Sequence, residues 1–93
     1  MKKTIEYLIS GKVQGVGFRY QTNIKANKLG LVGFVENLSD GRVKIIANGE
    51  ENKLEELKIW IEQGGVKFAR ISDINTVEIK EFEIKENYFY IAN

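Results

Sequence analysis

Gly11 to Arg19, with the sequence GKVQGVGFR, places three glycines within seven positions and closes the run with an arginine. Those residue types suit the capture of an anion. Glycine tolerates the left-handed and mirror conformations that turn successive backbone amides toward one point, and arginine adds a fixed cation that can pair two phosphate oxygens at once. The run lies between an alternating apolar segment, Ile5, Tyr7 and Ile9, and a helix-favouring one that begins near Tyr20. The free amides of a helix start carry about half a positive charge, so a phosphate at this junction would meet three favourable groups together.

The rest of the inventory narrows the chemistry. The 93 residues contain no histidine and no cysteine, which removes thiolate nucleophiles, disulfides, the usual zinc sites and the commonest general base. With 14 basic and 13 acidic residues the net charge is +1, too balanced for the broad basic surface that drives nucleic-acid binding. Gly15 to Tyr20 (GVGFRY) superficially resembles the glycine-aromatic run of an RNA-binding domain, but that run belongs on a third strand with its aromatics exposed. Glu6 interrupts the first apolar stretch, so neither a signal peptide nor a membrane span is expected, and the protein is placed in the cytoplasm without membrane or nucleic-acid partners.

The elements that must position the loop follow from periodicity. Ile5 to Ile9 predicts a strand, Tyr20 to Leu29 a helix ended by Gly30, and Leu31 to Val35 a second strand. Asn37 to Gly41 (NLSDG) predicts a hairpin turn into a third strand through Val43, Ile45 and Ala47. A second helix is expected over Asn52 to Gln63, with Asn52 as its cap, Glu55 completing a capping box, Leu54, Leu57 and Ile61 on one face, and Gly64 and Gly65 as its stop. Ile74, Val77 and Ile79 with Phe82 and Ile84 suggest one or two more strands, and Phe89 to Ile91 a short edge segment. That order predicts a single α+β domain over residues 1–93, a ferredoxin-like sandwich of the split βαβ type, with two helices on one face of an antiparallel sheet of four or five strands.

The loop GKVQGVGFR together with ANKLGLVGFVENLSDGRV, Ala26 to Val43, closely resembles the two signatures of the acylphosphatase family, in order and spacing. The resemblance implies hydrolysis of an acyl phosphate to a carboxylate and inorganic phosphate, without a covalent intermediate, cofactor or metal. It makes Arg19 the residue that binds the phosphoryl group and Asn37 the one that orients the attacking water. Gln14, Gly15, Val16, Gly17 and Phe18 complete the substrate cradle with Arg19. The partner implied is a small-molecule acyl phosphate, taken by a monomer. The chemistry is compatible with the inventory, because a carboxylate whose conjugate acid has a pKa of roughly 4 leaves without a strong general acid. A noncatalytic module that senses phosphate is the competing reading.

Read without the resemblance, Asn37 is turn chemistry, and Arg42 and Arg70 are solvated surface charges. Trp60 is expected at the core or its edge, and Tyr88, Phe89 and Tyr90 cover either the sheet edge or an interface. Three places depart from common family members: Phe34 where tryptophan is frequent, Glu36 where a basic residue often stands, and Gly64, Gly65, Val66 where a Gly-Pro pair is usual. A carboxylate at Glu36 would disfavour an anionic substrate if it lay near the site, so Glu36→Lys is expected to lower the Michaelis constant in a salt-sensitive way.

Overall fold

The computed structural model describes residues 1–93, in the order β1 (Lys2–Lys12), α1 (Phe18–Lys28), β2 (Val32–Asn37), β3 (Val43–Glu50), α2 (Glu51–Glu62), β4 (Arg70–Glu78) and β5 (Phe89–Ile91). The spatial order in the sheet is β4-β1-β3-β2-β5. β1 lies antiparallel between β3 and β4, and β2 pairs antiparallel with β3. These strands form the split βαβ arrangement expected. β5 adds a fifth strand parallel to β2, so the sheet is mixed.

Alternation along the central strands decides which face is covered. Tyr7 and Ile9 oppose Ile45 and Val43, and Val35 opposes Ile45, so these side chains share one face. They join Phe18 and Ala26 of α1 and Leu54, Leu57 and Ile61 of α2 in one buried cluster. Tyr7 is 2% exposed, and its hydroxyl donates to the Leu54 carbonyl at 3.0 Å, tying β1 to α2. Trp60 packs at the edge of this core, as its place on α2 suggested. No helix is long and apolar enough to cross a membrane.

Several boundaries move for physical reasons. α1 starts at Phe18 rather than Tyr20, because its buried face is Phe18, Thr22 and Ala26 and a buried threonine hides that stripe from an apolar count. Its end is as expected: Gly30 and Leu31 donate to the carbonyls of Asn27 and Ala26, the two bonds of a Schellman turn. Asn52 does not cap α2. The helix begins at Glu51, directly after β3, and the Glu50 carboxylate is taken by the Met1 amine at 2.9 Å. That amine holds the Glu50 carboxyl below its usual range, and the Met1 carbonyl accepts the Glu51 amide at 3.2 Å.

Phe82 and Ile84 form no strand. β4 and β5 occupy opposite edges, so the segment joining them must cross the sheet, and it does so over the face the helices leave open. Phe82 packs on Phe34 with ring centroids 6.3 Å apart, and Tyr90 packs on the same ring at 5.7 Å. The terminal aromatic run is thereby divided by the pleat: Phe89, 1% exposed, enters the core, while Tyr90 lies on the outer face.

Candidate active site

The loop leaves β1 at a bulge between Ser10 and Gly11, where β4 approaches so closely that a Cβ on Gly11 would stand 2.0 Å from the Arg70 carbonyl oxygen. Further along, Gly15 and Gly17 take φ values of 75° and 80°, in the left-handed region. A Cβ on either would meet nothing within 4 Å, so backbone conformation rather than space calls for glycine there. Gly17 is the N-cap of α1 and offers no side-chain cap, so the amides of Phe18, Arg19 and Tyr20 meet no capping group.

Arg19 therefore lies in the first turn of a helix that has no acidic residue there. A cation at that end is repelled by the helix dipole. Arg19 also takes part in none of the chain's ion pairs. It lines a cleft of about 240 Å³ with Gly15, Gly17 and Phe18, and Val13, Tyr20 and Ile91 complete the wall. Val16, the remaining apolar member of the loop, packs against the core instead.

Asn37 is not part of that cleft wall. It ends β2 opposite Val43, on the helix-covered face of the sheet. Two features bring its surroundings to the loop. Ile91, in the cleft wall, is in register with Val35, and the Asn37 amide donates at 2.8 Å to the carbonyl of Asn93 just beyond it. From the other side, Gln14 Nε2 donates to the carbonyls of Leu38 at 2.8 Å and Arg42 at 3.0 Å. The Asn37 Oδ1 atom is buried and accepts no hydrogen bond from the chain, as are Thr22 Oγ1 and Asn23 Oδ1 on α1 within four residues of Arg19.

The turn after Asn37 is closed by Asp40, whose carboxylate accepts from the Arg42 amide at 3.1 Å and from Arg42 Nε at 2.9 Å. The amide bond, with the guanidinium beside it, holds the Asp40 carboxyl below the usual carboxylate range. Arg42 is thus occupied in its own turn. Spacing along the chain carries no sign of Ile91, Asn93 or the reach of Gln14, because each contact joins residues distant in the chain. The only local hint was the apolar alternation of the last strand.

Glu36 requires a correction. It pairs across the strands with Lys44, their charged groups 3.0 Å apart, on the face that also carries Phe34. Asn37 faces the other way. The sheet separates the carboxylate from the loop and a lysine neutralises it, so the basis for a salt-sensitive effect is gone. Glu36→Lys is expected to leave the Michaelis constant within about twofold of wild type at low and high ionic strength, measured by initial rates in each buffer.

A model of the acylphosphatase family matches residues 5–91. The chain belongs to the acylphosphatase family. An acylphosphatase of Acaryochloris marina is 44% identical over 82 residues, covering 88% of this chain and 84% of its own length. One of Vibrio vulnificus is 49% identical over 74 residues, covering 80% and 81%. The crystal structure of the acylphosphatase from Bacillus subtilis superposes with a TM-score of 0.90 at 36% identity, over 100% of both chains. The mixed five-stranded sheet with two helices is thus an acylphosphatase fold, and the chain is a hydrolase of the acylphosphatase class.

Proposed function

We propose that residues 1–93 act as one domain that hydrolyses a small acyl phosphate to a carboxylate and inorganic phosphate by direct attack of water on phosphorus. The observation that carries the reading is Arg19 itself, a cation without an ion-pair partner in the first turn of α1, in one cleft with the two left-handed glycines. The guanidinium and the amides of Gln14 to Phe18 hold the phosphoryl oxygens. Val13, Tyr20 and Ile91 give the acyl portion an apolar wall.

Asn37 orients the nucleophile. Its buried Oδ1, free of any donor in the chain, accepts a hydrogen bond from the water, and its amide group can donate to the phosphate. The water oxygen bonds to phosphorus as the bond from phosphorus to the acyl oxygen breaks, and the electron pair leaves with the carboxylate. A carboxamide is no proton acceptor at neutral pH, so the water proton passes to a phosphate oxygen or to solvent. Through a loose transition state the protein's work is to position the water and to stabilise charge on the equatorial oxygens.

The cleft holds neither a histidine nor a carboxyl group, the commonest proton donors to a poor leaving group. Benzoyl phosphate is therefore expected to turn over at least about a thousandfold faster than an alkyl phosphate monoester, whose leaving alkoxide needs a proton. Parallel rate assays by phosphate release check this, and equal rates on the two substrates would overturn it. Binding of inorganic phosphate without turnover of either would point instead to a sensing module.

A further inference from the structure

Gln14 belongs to the loop whose amides are read as the phosphate cradle, yet its side chain reaches away from it. Both hydrogens of its carboxamide are committed, to the carbonyls of Leu38 at 2.8 Å and Arg42 at 3.0 Å. These are the residues immediately beyond Asn37 and Val43, the last pair of the β2–β3 ladder. The same two carbonyls already serve the turn, accepting from Gly41 at 3.2 Å and from Leu38 at 2.8 Å. One side chain thus grips both arms of the hairpin at the point where Asn37 leaves the sheet.

Backbone pairing does not supply this connection. β1 and β2 are not neighbours, because β3 lies between them, and the β1–β3 ladder stops at Ile9 and Val43. Everything from Gly11 to Arg19 projects past that point. We propose that Gln14 is a positioning residue, which fixes the loop carrying Arg19 in register with the hairpin carrying Asn37 and so sets where the oriented water stands relative to the held phosphorus. The inference rests on the reading under Proposed function. It separates two roles within one loop: the backbone holds the anion, and the Gln14 side chain aims the hairpin.

The consequence is a division between binding and turnover. A misplacement of about 1 Å in reacting groups costs on the order of a hundredfold in rate, whereas the amides and Arg19 that bind the anion remain in place. Gln14→Met, which keeps the length and removes both donors, should lower kcat on benzoyl phosphate by roughly ten- to a hundredfold. Its Michaelis constant, and its dissociation constant for inorganic phosphate by calorimetry, should stay within about twofold of wild type. Gln14→Leu, which removes the carboxamide without adding a charge beside the loop, should behave alike.

The decisive comparison repeats Gln14→Met in an Asn37→Ala background. With no asparagine to aim, the further loss should be less than about twofold, since residues acting as one unit are strongly non-additive. An unchanged kcat in either single variant overturns the inference, as does an undiminished further loss in the double variant or a loss of phosphate affinity matching the loss of kcat. Thermal melts accompany each variant, and unfolding of both single variants at the assay temperature also overturns it by making the role structural. If wild type fails to turn over benzoyl phosphate, the functional reading fails and takes the inference with it. Full activity of Gln14→Met beside a slow Asn37→Ala removes the inference alone.

Discussion

Replacing Arg19 with alanine is expected to lower kcat/KM for benzoyl phosphate by about a thousandfold and to remove measurable binding of inorganic phosphate, the scale that a transition-state arginine commands in phosphoryl transfer. Arg19 is costly where it stands. A guanidinium in the first turn of α1 opposes the helix dipole, and no acidic side chain pairs with it. Removing it should leave the fold intact or slightly more stable, so a thermal melt at or above the wild-type value beside a collapsed rate would separate the two effects. Arg19→Lys should recover only part of the rate, because an ammonium lacks the planar fork that pairs two oxygens at once. Wild-type kinetics in Arg19→Ala would show that the phosphoryl group is held elsewhere.

Asn37→Ala should differ in kind. The expected loss is about a hundredfold in kcat with little change in phosphate affinity, since the oriented water is a feature of the transition state more than of the bound ground state. Oδ1 of Asn37 accepts no hydrogen bond from the chain, so truncating the side chain breaks no side-chain hydrogen bond that holds the fold. The variant should therefore melt close to wild type. Its backbone bond to the Asn93 carbonyl does not depend on the side chain and should persist. Asn37→Asp would test the donor half separately, because a carboxylate still accepts from water but repels the phosphate. A variant that loses affinity and kcat equally would place Asn37 among the anion ligands.

What could be read from the chain alone was whatever depends on near neighbours. The helix end at Gly30, the turn at Asp40 and Gly41 and the alternation of Tyr7 and Ile9 each follow from residues within a few positions, and each stands in the structure. The cap of α2 failed because β3 runs straight into the helix and the partner of Glu50 is Met1, 49 residues away. Phe82 and Ile84 resembled a strand because a segment crossing an apolar sheet face carries apolar residues as a strand does, without a ladder to pair with. The site divides along the same line. Arg19 and the glycines were visible as a contiguous motif, and Asn37 only through its resemblance to a signature. The tie from Gln14 to the hairpin spans 24 and 28 residues, and no local rule reaches so far.

The central claim is that water, oriented from β2, attacks the phosphorus of an acyl phosphate held by the loop. Turnover of benzoyl phosphate in oxygen-18 water, followed by mass analysis of both products, tests it directly. Hydrolysis well above the uncatalysed rate, with the label wholly in inorganic phosphate and none in benzoate, is the predicted result. Label in benzoate would mean attack at the carbonyl carbon, and that result, or the absence of turnover above background, would contradict the account.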